Sequence, residues 1–214
     1  MRCNICKNED LHPIEVKNKA GLKKYYRCKE CEFIFIDKAH ILTLEDEGMR
    51  YEAHNNEISD PLYRSYFKKF INYIEDELDK GNTILDYGSG SQPVLADVMK
   101  EDGYKVDIYD KFFYNKKDYL DKMYDVIIST EVFEHIYKPM ETLETLLSIL
   151  KKNGKLILMT AVSPPTNEEF RKWWYIQDPT HVVFYNKKTF EVISRKYNLS
   201  IIKYNYKNII MFQR

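Results

Sequence analysis

The chain has 214 residues, of which 44% are apolar and 31% charged, with seven Gly and seven Pro. That composition is globular, and it excludes a disordered tail, a collagen-like chain and a mucin-like stalk. Lys plus Arg equals Asp plus Glu at 33 each, so the formal net charge is zero and any phosphate-binding surface would have to be local.

At this length the expectation is one ordinary domain with a small appendage. No apolar run approaches the roughly 20 residues that span a bilayer, and the first residues carry no signal-peptide core. The reading is therefore cytoplasmic, with no membrane partner.

The chain opens on two Cys-x-x-Cys pairs, Cys3/Cys6 and Cys28/Cys31, with 21 residues between them. A two-residue gap lets both thiolates of a knuckle face one ion, and two knuckles complete a tetrahedron, so the pattern points to structural zinc. A reducing compartment disfavours disulfides. A dithiol redox site would need one pair beside a thioredoxin-like unit, which is not present. Strand-like stretches at Lys24–Arg27 and Phe33–Ile36 flank the second pair as in a zinc ribbon, giving a module over residues 1–36. That module carries eight basic and five acidic side chains.

Residues 37–80 read as a polar linker leading into a helix. Asp60 is its N-cap and Pro61 its first residue, with Phe67, Phe70, Ile71, Ile74 and Leu78 on one face over 61–79. Strands then alternate with helices: Thr83–Asp86, a helix from near Pro93, Lys105–Tyr109, Asp125–Ser129, a helix from Pro139 stopped at Asn153-Gly154, and Lys155–Thr160. This alternation argues a parallel, doubly wound α/β sheet. After a helix at Lys187–Tyr197, the strands Leu199–Tyr204 and Asn208–Phe212 are too close together for anything except antiparallel pairing.

The stretch Asp86-Tyr87-Gly88-Ser89-Gly90-Ser91-Gln92-Pro93 turns tightly at the end of the first strand, where glycine lets the backbone approach a ligand. The third glycine of the dinucleotide fingerprint is replaced by Pro93, which disfavours a nicotinamide oxidoreductase. Asp86 would repel a pyrophosphate and suits a cationic ligand. Asp110 ends the second strand, placed to hydrogen-bond a ribose diol. Ribose, a cationic centre and no phosphate together describe S-adenosylmethionine.

With Asp86-x-Gly88-x-Gly90, Asp110 and Asp125-Val-Ile-Ile-Ser-Thr-Glu131-Val-Phe-Glu134-His135, the chain resembles the class I S-adenosylmethionine-dependent methyltransferases over roughly residues 50–214. The resemblance implies a Rossmann-like, seven-stranded, mostly parallel sheet with an antiparallel C-terminal pair, making up a cofactor-binding domain over 81–214. Only Tyr114–Met123 is available for the family's third strand. By this resemblance Gly88 and Gly90 line the methionine and ribose portion, with Asp86 near the amino group and Asp110 on the ribose. Ser129, Thr130 and Glu131 border the cofactor, and Tyr51 and His54 look like an N-terminal lid.

Methyl transfer needs donor and acceptor aligned, and a base where the acceptor is a hydroxyl or amine. His135, just after the Asp125 strand, and His181 are the candidate catalytic residues. His181 lies in an aromatic insert whose Trp173, Trp174, Tyr175, Asp178 and Tyr185 read as substrate-binding. The favoured reading is methyl transfer to a small molecule. The alternatives are an RNA methyltransferase whose zinc module contacts the nucleic acid, and a non-catalytic zinc adaptor.

Overall fold

The structure is a computed structural model that describes residues 1–18, 21–52 and 59–214. The cysteine-bearing segment folds as an antiparallel meander of β1 (Leu11–Asn18), β2 (Gly21–Cys28) and β3 (Ile34–Ile36). β2 and β3 contain the two stretches expected from sequence. β1 was not among them: Pro13 and the intervening polar residues weaken its pattern, and Pro is tolerated because β1 is an edge strand. Along β2, Lys23, Tyr25 and Arg27 alternate inward. The buried Arg27 guanidinium donates to Asn167 Oδ1 at 2.7 Å and to the Pro164 carbonyl at 3.0 Å.

Two helices precede the main sheet, α1 (Leu44–Glu52) and α2 (Pro61–Ile74). Asp60 caps α2 by accepting from the Leu62 N–H at 2.8 Å, with Pro61 opening the helix as expected. The sheet then takes β4 (Thr83–Tyr87), β5 (Lys105–Tyr109), β6 (Tyr124–Thr130) and β7 (Leu150–Met159), all parallel, with α3 (Val94–Glu101) and α4 (Pro139–Ser148) as connections. After α5 (Asn167–Lys172) comes a short strand, β8 (Val183–Phe184), then α6 (Lys187–Tyr197) and the antiparallel pair β9 (Ser200–Tyr204) and β10 (Ile209–Gln213).

The large sheet has the order β5-β4-β6-β7-β10-β9. It is the expected α/β sheet, with six strands among the described residues instead of seven. Where a further edge strand would lie, Asp110 and Tyr114 exchange a single pair of backbone bonds, each 3.1 Å, and Lys117–Asp121 forms a 3-10 turn. Residues 110–123 are too few for both a strand and the crossovers that parallel pairing requires. α4 also stops at Ser148, short of Asn153-Gly154, because Leu150 already pairs with Tyr124 in the sheet. Asn153 and Gly154 sit instead in an irregularity of β7.

Strand alternation sorts the core onto two faces. Val126 and Ile128 of β6, with Ile157 and Met159 of β7, pack under α2 and α3 against Phe67, Phe70, Ile71 and Leu95. Ile127, Leu156 and Leu158 face the other way, toward Leu143, Leu147 and Phe190. That second face continues without a break into Ile14, Tyr25, Phe33 and Phe35 of the small sheet.

The continuity has a backbone cause. β8 pairs with β3, Ile34 opposite Phe184, so the small sheet reads β1-β2-β3-β8 and its fourth strand comes from far along the chain. No helix among the described residues is long and apolar enough to cross a membrane.

Candidate cofactor and acceptor site

The C-terminal ends of β4, β5 and β6 open into a cavity of about 700 Å³, within the range of about 300–1,000 Å³ usual for small-ligand sites. At its rim β4 runs into the Gly88–Gly90 turn. Gly88 has φ +86°, and a Cβ there would lie 2.2 Å from Val132 Cγ2, so only glycine fits. Gly90, at φ +71°, donates its N–H to Asp110 Oδ2 at 2.9 Å. The other Asp110 oxygen accepts from the Phe112 and Phe113 N–H groups at 2.8 and 3.2 Å. Asp110 therefore ties the β4 and β5 turns together while it lines the cavity.

Asp86 lies deeper and is 1% exposed. Burial, then the charge of Asp110, pushes its carboxyl up to about 7, against weaker opposing pulls from the Ala96 N–H and Lys100. Neither carboxyl oxygen makes a hydrogen bond among the described residues. A buried, orphaned carboxylate facing a cavity calls for a cationic partner. The ammonium and sulfonium charges of S-adenosylmethionine supply that chemistry, so the residues present fit this cofactor.

The far end of the cavity is built by the loop after β6 and by residues 175–182. His135 Nδ1 lies 3.0 Å from the Thr180 carbonyl and His181 Nδ1 2.7 Å from the Tyr175 carbonyl. A carbonyl only accepts, so each Nδ1 carries the proton and each Nε2 keeps a lone pair. Burial lowers the basicity of both rings, and burial followed by His135 brings His181 down to about 4. Two neutral imidazoles, with centroids 4.7 Å apart, thus meet beside the cavity.

Behind them the Tyr175 hydroxyl donates to Glu131 Oε2 at 2.8 Å and also bonds Glu134 Oε1. Glu134 is 0% exposed, and its second oxygen has no partner among the described residues. Burial, then Glu134, pushes the Glu131 carboxyl up to about 8. Burial also raises Glu134.

α1 closes one side of the cavity. Tyr51 stacks between Phe112 at 5.2 Å and His135 at 5.5 Å. Arg50 grips Asp178 with two bonds of 3.1 and 3.2 Å. Burial would raise Asp178, yet Arg50 and Thr180 hold its carboxyl well below the usual carboxylate range. Lys111 meets Glu47 at 3.3 Å.

The cavity thus gathers Asp86, Gly88, Gly90, Asp110, Thr130, Glu131, Tyr51, His135, His181 and Asp178 from the residues singled out in the sequence. Ser129 lies just behind, its hydroxyl donating to the Tyr87 carbonyl at 2.9 Å. His54 lies outside the described residues. Of the insert, Asp178 and His181 line the cavity, whereas Trp173, Trp174, Tyr175 and Tyr185 are not on its wall. Trp173 packs on Phe184 at 5.6 Å, Tyr185 is buried with its hydroxyl on the Phe133 carbonyl, and Trp174 is 72% exposed. Tyr175 presents its ring to His181 at 4.1 Å and its hydroxyl to the two glutamates.

Sequence reasoning missed Glu47 and Arg50 as site residues, and named Glu134 only within the motif that ends at His135, without a role of its own. The Glu131-x-x-Glu134 spacing was the available signal for Glu134. Nothing local marks Arg50, whose partner is 128 residues away.

At the other end of the small sheet the four cysteines converge, with Cys3 Sγ to Cys31 Sγ and Cys6 Sγ to Cys28 Sγ both 3.5 Å. That is far outside disulfide bonding and close to the ~3.8 Å between sulfurs of a tetrahedral zinc site. The cluster is consistent with a zinc-binding module.

A family model described as a methyltransferase domain matches residues 60–204. The chain belongs to that family. It is a class I S-adenosylmethionine-dependent methyltransferase. Similar solved structures include a SAM-dependent methyltransferase from Archaeoglobus fulgidus, at 17% identity and TM-score 0.52, covering 78% of this chain and 98% of that one. The plantazolicin methyltransferase BpumL, solved with a monoazolic substrate analogue and SAH, matches at 15% identity and TM-score 0.50, covering 79% and 91%. At these identities the likeness speaks for the fold alone. No protein of curated function is detectably similar in sequence.

Proposed function

We propose that this methyltransferase acts on a small-molecule acceptor bound at the inner end of the cavity, against His135 and His181. The supporting observation is the pair of neutral imidazoles, each held through Nδ1 to a backbone carbonyl, sharing one cavity with the Gly88–Gly90 turn.

When bound, S-adenosylmethionine supplies an electrophilic methyl group on a sulfonium. The chain's own residues do the rest. Gly88 and Gly90 let the backbone approach it, Asp110 fixes the turn and offers its remaining lone pair to the ribose, and Asp86 provides a buried negative charge for the cationic portion. Thr130 and Glu131 border it at the end of β6. Tyr51, with Phe112, forms an apolar wall between the cofactor and acceptor ends. His135 and His181 face the acceptor's O–H or N–H with Nε2 lone pairs and activate it for in-line attack. Asp178, clamped by Arg50, holds the lid helix over the acceptor. In this reading the four cysteines bind a structural zinc ion, with no position left open for substrate, in a reducing cytoplasmic compartment.

The test is S-adenosylhomocysteine formation across a panel of hydroxyl- and amine-bearing acceptors, run beside calorimetric titration with S-adenosylmethionine. His181→Ala is expected to lower turnover by about 10²–10⁴-fold while cofactor affinity stays within about threefold. Unchanged turnover in both His181→Ala and His135→Ala would overturn the assignment of the acceptor end.

A further inference from the structure

We propose that Glu134, His135 and His181 form a binding site for a divalent transition-metal ion at the acceptor end of the cavity. One ligand atom from each of the three lies within 4.8 Å of the others. His135 Nε2 stands 4.0 Å from Glu134 Oε1. Side-chain rotation closes such separations to the ~3.4 Å expected between ligands on a tetrahedral ion with bonds of about 2.1 Å.

Three independent features go beyond proximity. First, the hydrogen bonds from Nδ1–H to the Thr180 and Tyr175 carbonyls are the outer-shell arrangement that fixes a ligating histidine's tautomer and aims Nε2 at a metal. Second, Glu134 is fully buried, its Oε1 holding the Tyr175 hydroxyl and its Oε2 without a hydrogen-bond partner among the described residues, so the carboxylate has an oxygen that a bound cation would satisfy. Third, Glu131 is one hydroxyl away, joined to Glu134 through Tyr175, so a second carboxylate stands ready for a further position.

Two imidazoles and a carboxylate are the ligand set of ions such as Zn²⁺, Co²⁺ and Fe²⁺, which retain open positions when only three protein ligands bind. His135 and His181 line the cavity, so those open positions face the acceptor. A cation there lowers the pKa of an acceptor hydroxyl bound to it. This deepens the proposed function and rests on it only for the ion's use: with the ion bound both Nε2 lone pairs are committed to it, so the ion takes over activation of the acceptor, whose proton leaves to solvent or to Glu131 on the cavity wall.

The experiment adds Co²⁺ to full-length protein whose cysteine cluster has first been filled with Zn²⁺, and follows visible absorption and bound-metal stoichiometry. The expected result is one saturable equivalent of Co²⁺ with d–d bands and no sulfur-to-cobalt charge transfer. It should weaken by at least tenfold in Glu134→Gln and be lost in His181→Ala. His135→Gln, at the less buried of the two histidines, serves where the others fail to fold by circular dichroism, and should also weaken binding at least tenfold. No equivalent beyond the cysteine site in the wild type overturns the proposal. So does a second equivalent that survives all folded variants. Methyl transfer measured on the same samples separates the two readings. Transfer that depends on His181 without any bound ion leaves the acceptor assignment standing and removes the metal. Ion binding without transfer to any acceptor does the reverse.

Discussion

Two clusters of side chains of metal-ligand type among the described residues differ in how much of a site each completes by itself. At Cys3, Cys6, Cys28 and Cys31 the sulfurs pair off at 3.5 Å, away from the cavity at the strand ends. At Glu134, His135 and His181 the ligand pair His135 Nε2 and Glu134 Oε1 stands 4.0 Å apart, and both histidines line a cavity of about 700 Å³. A closed set of four donors can stabilise a fold and has nothing left for substrate. An open set of three, in a wall held by backbone carbonyls, leaves room for a molecule to be acted on. The two are also connected. The Ile36 N–H donates to the Val182 carbonyl at 2.8 Å, and the Val182 N–H donates to the Glu134 carbonyl at 2.8 Å. The small sheet therefore braces the strand next to His181.

That connection sets the largest expected effect. Stripping metal from the cysteine cluster, or Cys31→Ser, should cost about 5 kcal/mol or more. For a chain of this size that lowers the melting temperature by at least about 10 °C. Because β3 and β8 share a ladder, near-ultraviolet dichroism from the aromatic insert should be lost in the same transition. A separate, earlier transition confined to residues 1–36 would show the module to be independent of the site.

The next effect concerns Asp86, a buried group whose oxygens have no hydrogen-bond partner among the described residues. Its folded pKa of about 7 lies above the unfolded carboxylate value of 3.8, so the folded state holds its proton longer. Stability from this group is therefore complete below about pH 4 and lost as pH rises through 7. Asp86→Asn should leave stability little changed at pH 4 and raise it by roughly 2–4 kcal/mol at pH 8, while weakening S-adenosylmethionine binding. Urea melts at the two pH values check the sign. Equal gains at both would remove the titration argument.

Gly88→Ala should come third, at about 1–3 kcal/mol, from the strained φ and the 2.2 Å approach to Val132 Cγ2. Adding Val132→Ala should relieve the clash and leave the backbone term, so the double variant recovers only part of the loss. The smallest effect is expected for Arg50→Ala. Its pair with Asp178 is partly exposed, with side chains 40% and 23% accessible. Such pairs contribute about 1 kcal/mol or less. The lid should loosen, raising the acceptor KM severalfold with little change in Tm. A kcat loss as large as that of His181→Ala would place Asp178 in the chemistry instead.

Much of this was legible along the chain. The alternation of β4 to β7 with helices, the antiparallel end, the glycine turn and the cysteine spacing are local signals, and the structure shows each of them. Asp60 capping α2 is equally local. The misreadings share one cause. Trp173 and Tyr185 were read as pocket walls because aromatics beside polar groups describe a binding site. The structure uses them at the junction of the two sheets, where Tyr25, Phe170 and Phe184 interlock at 5.1–6.0 Å. Aromatic density in sequence reports burial and cannot report what is buried against it.

By itself the sequence determined the fold class and the family and singled out the glycine turn and the cysteine cluster, because periodicity, turn glycines and Cys-x-x-Cys gaps act over a few residues. Only tertiary structure decided that His181, Glu134 and His135 share one place, that Arg50 reaches Asp178, and that residues 183–184 complete the sheet begun by residues 11–36. Those long-range contacts bridge 46 to 150 positions of chain. They are fixed by which faces of two sheets must exclude water together, a constraint that no local pattern carries.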